Sequence, residues 1–135
     1  MKYAYNYWAV AVAAASCFLF GFIWFTVVFK EAYTEGLGKS REQMNQGPSM
    51  VATSVFQLAG NLVLAIVLSW LLKKLGCETI LESVRLAALL WLGFIVAIIG
   101  PLYAHQAYSF KFFLIIAGAI LMYILTSAVI LTTWK

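Results

Sequence analysis

Few side chains in this sequence could do chemistry, and the most suggestive are three neutral ones, Ser54, Gln57 and Asn61. They recur at spacings of three and four, which stacks them on one face of an α-helix. Hydroxyl and amide groups neither titrate nor attack near neutral pH. What they offer is directional hydrogen bonding to each other, to a neighbouring helix or to a small solute. The run that holds them, Met50 to Leu72, is otherwise apolar and long enough to cross a bilayer. An amide in hydrocarbon needs a partner, so this face is expected to look at protein or trapped water rather than lipid. Two uses fit: interhelical glue, where such bonds average about 0.6 kcal/mol, or a polar path or binding pocket.

The remaining reactive groups exclude more than they suggest. His105 is the only histidine, with no carboxylate or second histidine near it in sequence, and reads as an interfacial side chain. Cys17 and Cys77 are the only cysteines, too few for a disulfide framework or a metal-ligand set. Glu82 and Arg85, one turn apart at the start of a helix, read as a solvated pair. No Asp, Glu, Lys or Arg lies deep in an apolar run, so proton- or ion-coupled transport lacks its usual carrier of charge. No nucleophile has a base in reach, so no enzymatic activity, catalytic residue, cofactor or metal is expected.

The elements that must position these groups follow from composition. Of 135 residues, 64% are hydrophobic and 10% charged, and the mean hydropathy is +0.95, well outside the range of a soluble domain. Lys and Arg number nine against five acidic residues, a net charge of +4. They are scattered over loops and ends, which leaves no stripe for nucleic acid. The expected partner is the lipid bilayer.

Apolar runs predict an all-α integral membrane four-helix bundle in one domain. The spans are placed at about 7–29, 50–72, 84–103 and 110–131, with a polar loop at 30–49. Tyr7 to Phe29 is 23 residues, about 34 Å at about 1.5 Å per residue. Ala14-Ala15-Ser16-Cys17 resembles a lipoprotein cleavage box, yet the apolar run continues past Cys17 to Phe29, so a spanning helix is expected. Tyr3, Tyr5, Tyr7 and Trp8 at one end and Trp24 and Tyr33 at the other fit rings at headgroup depth. A short surface helix is expected from Arg41 to Asn45, with Ser40 and Gln43 as a weak capping box. Gly47-Pro48 is expected to start the second span, and Lys73, Lys74 and Gly76 to end it. Thr79 and Glu82 form a capping box for the third helix, which begins near Ile80, and Pro101 should kink or end it.

Small residues mark seams where helices can approach closely. Ala9, Ala13, Cys17 and Gly21 fall every fourth residue on the first span, and Gly93, Ala97 and Gly100 line a face of the third. Four spans put both termini on one side. That side holds Lys2, Lys73, Lys74, Arg85 and Lys135, and the other Lys30, Lys39, Arg41 and Lys111. The bias is close to none; the twin lysines after the second span favour cytoplasmic termini.

The sequence resembles a family of small bacterial membrane proteins, domain-of-unknown-function family 1761. The resemblance lies in Gly21-Phe22-Ile23-Trp24-Phe25, in Phe29-Lys30 with Tyr33, in Leu75-Gly76 with Thr79 to Glu82, and in Leu90-Trp91-Leu92-Gly93-Phe94. Phe113 to Ala119, with Gly118, matches in part: an asparagine is expected where Ile116 stands and an aromatic where Ala119 stands. The resemblance implies four helices in a bacterial inner membrane and brings no activity. Exposed seams of small residues point to a homo-oligomer or a subunit of a larger membrane complex. The leading expectation is a non-enzymatic helix-packing protein; the alternative is a small channel or uncoupled carrier with a polar path along the second helix.

Overall fold

A chain this apolar can satisfy its backbone in lipid only within helices or a closed barrel. The computed structural model describes residues 6–39, 42–43 and 46–134, and every regular element among them is helical. Four helices are long and apolar enough to cross a membrane: Tyr7–Val28, Met50–Lys74, Ile80–His105 and Phe110–Thr133. The first joins α1 (Tyr7–Ile23) to a π-helical stretch, Trp24–Val28. The short α2 (Lys30–Leu37) comes next, then α3 (Met50–Lys74), the second span. The third joins α4 (Ile80–Leu90), a second π-helical stretch (Trp91–Val96) and α5 (Ala97–His105), and the fourth is α6 (Phe110–Thr133). The expected surface helix from Arg41 to Asn45 lies for the most part outside the described residues, as do Lys2, Tyr3, Tyr5, Ser40 and Lys135.

Each span starts on a polar side chain that accepts from a first-turn amide. Asn6 takes Ala9 N–H (3.1 Å), Ser49 takes Ala52 (3.1 Å), Thr79 takes Glu82 (3.2 Å) and Ser109 takes Phe112 (3.1 Å). The second span therefore begins after Ser49, with Pro48 outside the helix rather than in its first turn. At Thr79 the box closes one residue early, because the Glu82 carboxylate accepts from the Glu78 amide at 2.9 Å.

The helix ends are equally local. Gly76 has φ 70°, and Cys77 N–H returns to the Leu72 carbonyl at 2.9 Å, a left-handed glycine stop. The third helix does not end at Pro101; it runs on to His105. Its last turn closes when Tyr108 N–H reaches the Tyr103 carbonyl at 3.0 Å, with Ala107 at φ 62° in the place glycine usually takes.

Among the spans, α6 is the hub: it packs on α1, on the third span and, less extensively, on α3, and α1 also packs along α3. The Asn6 amide donates to the Trp134 carbonyl at 3.1 Å, tying the start of the first span to the end of the fourth. Asn6 and Trp134, the first and last described residues, thus sit at the same end of the bundle. The core lies in that half, where Ala9, Ala13, Ala65, Ala87 and Ala128 are fully buried around Leu68 and Leu72. Alanine at the crossings brings the backbones together where hydrophobic transfer from lipid supplies no drive.

At the other end α2 lies against α6. Phe112, 3% exposed, is stacked by Tyr33, Tyr103 and Tyr108 at centroid distances of 5.7, 5.8 and 4.8 Å. A Cβ on Gly36 would overlap the Phe112 ring and lie 2.9 Å from its Cβ, so glycine is what lets α2 settle there. Burial, and then the neighbouring Tyr108, push the Tyr33 hydroxyl pKa above its ordinary value.

Gly36→Val should lift α2 from Phe112 at about 1–3 kcal/mol, seen as a lower melting temperature in detergent and as faster proteolysis between residues 30 and 49. An impermeant maleimide should label Cys77, in the turn after α3, and leave the buried Cys17 untouched. Desolvation and then the Glu82 carboxylate raise the Cys77 pKa. Labelling should therefore accelerate as pH rises and more thiolate forms, and Glu82→Gln should speed it at neutral pH.

Candidate functional site

Two of the helix contacts form where indoles meet small residues. Trp24 opens the first π-helical stretch and Trp91 the second. Their Nε1–H groups donate to two neighbouring carbonyls of α6, Trp24 to Ile115 (3.1 Å) and Trp91 to Ala117 (2.8 Å). Ala117 and Ala119 are each 2% exposed, and a Cβ on Gly118 would lie 3.1 Å from Trp24 Cζ2. Larger side chains here would hold both rings away from the carbonyls. A π turn holds one more residue than an α turn and so re-aims the remainder of its helix. Trp24 is therefore an interhelical donor rather than the free headgroup anchor its position in the sequence suggests.

Of the other family-like positions, Gly21 faces α6, where a Cβ would overlap the Tyr123 hydroxyl. Gly93 is exposed, and a Cβ added to it would meet nothing within 4 Å. Ala97 is exposed, and Gly100 is half-buried, where a Cβ would lie 3.6 Å from Phe113. The small-residue face of the third span thus looks mainly outward. That of the first span is filled: Ala9, Ala13 and Cys17 are fully buried. The Cys17 sulfur lies 3.3 Å from both the Tyr123 carbonyl and the Ser127 hydroxyl. Ser83 and Thr132 form a second buried pair, with the threonine donating at 2.5 Å.

The amide stripe divides along its length. Asn61, 3% exposed, donates to the Ala14 carbonyl of α1 at 3.4 Å and accepts from Gln57 Nε2 at 2.9 Å. Gln57 itself is exposed and Ser54 half-buried. The expectation that the whole face looks at protein thus holds for Asn61 and not for Gln57. Over residues 50–60 α3 leaves its neighbours, with Met50 82% and Phe56 81% exposed.

That divergence opens a cleft of about 230 Å³. Phe18, Phe22 and Phe25 line it from the first span, Thr53, Ser54 and Gln57 from α3, and Tyr123 of α6 reaches in beside Gly21. Thr53 bonds back to its own helix at Met50 and Ser49. The Tyr123 and Ser54 hydroxyls have no hydrogen-bond partner among the described residues. The described side chains that line the site are neutral. Sequence pattern alone does not single out Tyr123; its one signal is a phenol far from either end of a span.

Trp24→Phe and Trp91→Phe should each cost about 1 kcal/mol in reversible unfolding, near the range of single interhelical bonds. Gly118→Leu should cost more than either, because it displaces the Trp24 ring as well as its bond.

Neither a curated protein nor a solved structure matches the chain. A match to residues 8–132 takes in both indole donors, Gly118 and the whole cleft, and the chain belongs to the family described as Protein of unknown function (DUF1761).

Proposed function

We propose that this multi-pass membrane protein is a non-enzymatic packing protein of the bacterial inner membrane that associates with copies of itself through the third span. The observation that carries this is the outward placement of Gly93 on the span that is least buried, 6% against 28–39% for the others. A helical glycine costs about 1 kcal/mol relative to alanine, and among the described residues a Cβ here would meet nothing within 4 Å that calls for its absence. A second chain approaching closely along the face of Gly93 and Ala97 would call for it. The polar groups support the same reading over a solute path: Asn61 is used on the α1 backbone, and Cys17, Ser127, Ser83 and Thr132 pair between helices.

The test is native mass spectrometry of protein extracted gently from its own membranes, with Gly93→Leu and Ala97→Leu beside the natural sequence. A homo-oligomer that falls to monomer in the variants is the expected outcome. The space around Gly93 means the variant should keep its fold and melting temperature. A monomeric natural protein, an oligomer indifferent to both changes, or unlike subunits in fixed ratio would overturn the self-association reading, the last in favour of an accessory subunit.

A further inference from the structure

The cleft between the first span and α3 has a shape and chemistry that helix packing does not use. Its lining comes from membrane-length helices, which puts it in reach of an occupant dissolved in the bilayer. No charged side chain among the described residues lines it, which disfavours a phosphate or an ammonium head. The donors left over are specific: the Tyr123 hydroxyl, the Ser54 hydroxyl, and the second N–H of Gln57, whose other N–H is held by Asn61. In hydrocarbon these call for acceptors. Phe18, Phe22 and Phe25 stand at i, i+4 and i+7, one helix face, and offer ring surfaces to a flat partner. At about 230 Å³ the space is smaller than the ~300–1,000 Å³ of drug-sized sites. It admits one ring and leaves a tail in the lipid.

We propose that this cleft binds the head of a membrane quinone: neutral, planar, with carbonyl oxygens facing Tyr123 and Gln57 and an apolar tail running out between the first span and α3. Gly21 belongs to the site because only a residue without Cβ leaves the Tyr123 hydroxyl where it is. The binding site and the Gly93 face lie on different helices, so either can fail without the other.

The experiment uses the full chain in phosphatidylcholine nanodiscs, titrated with decylubiquinone and read as saturable quenching of tryptophan fluorescence. Quenching by quinone merely dissolved in the lipid is linear and is subtracted. Tyr123→Phe keeps the ring and removes one hydroxyl that has no partner among the described residues, so its fold should be unchanged; binding should weaken about tenfold, the effect of one hydrogen bond. Gln57→Leu should weaken it at least as much. Dioctanoylglycerol, which also bears carbonyls but no planar head, should not compete. Absence of saturable quenching, equal affinity in Tyr123→Phe, or displacement by dioctanoylglycerol at similar concentration would each overturn the assignment.

Discussion

An indole N–H inside hydrocarbon calls for an acceptor, and two of this chain's five tryptophans, Trp24 and Trp91, find theirs on another helix. Both end on α6 within one turn, at Ile115 and Ala117. The acceptors are carbonyls already engaged in the helix, so the bonds depend less on new donors and acceptors than on closeness. Ala117, Gly118 and Ala119 provide it by keeping the α6 surface flat. The first and third spans are positioned through these two bonds, and the rest of the bundle is set by where they hold their helices. Two π-helical stretches beginning at the same tryptophans are the backbone's accommodation to that requirement.

The polar groups divide the molecule into a tight half and an open half. Near the termini the buried hydroxyls and thiol meet another helix, and alanines close the gaps. Towards the 30–49 connection α1 and α3 part, and side chains of the same chemistry are left facing a cleft. One helix, α3, passes through both regimes: Asn61 is structural, and one turn away Gln57 is available. Neutrality is common to the two halves, and it is why the chain can carry polar groups at depth without the large shifts that a buried charge would need.

The helices themselves were legible from apolar run length, because a bilayer sets the length of whatever crosses it. Thr79 and Gly76 were legible as boundaries, since a side-chain cap and a left-handed glycine act within a few residues. Ala107 was not: it takes the left-handed stop that glycine usually takes, and nothing in an alanine announces that. Ser49 was overshadowed by Pro48, which suits a first turn but here lies before it. The role of Trp24 was invisible for another reason. An aromatic near a span end fits a headgroup anchor equally well, and only the approach of Gly118, from the far end of the chain, distinguishes the two. Gln57 misled because period places residues on a face without saying where the neighbouring helix leaves it.

The dependence on α6 also bears on the order in which the protein can be made. The third span packs on α6 and has no comparable contact with α1 or α3, yet α6 is the last of the four spans to be made. During translation α1 and α3 can find each other, while the third span waits in the lipid with its tryptophan donor unanswered. Arrival of α6 then fills the gap between the two parts in one step. Assembly of these four spans is therefore completed only once α6 has been made, and a ribosome that stops short of residue 110 leaves behind not a smaller bundle but a helix pair and a stray.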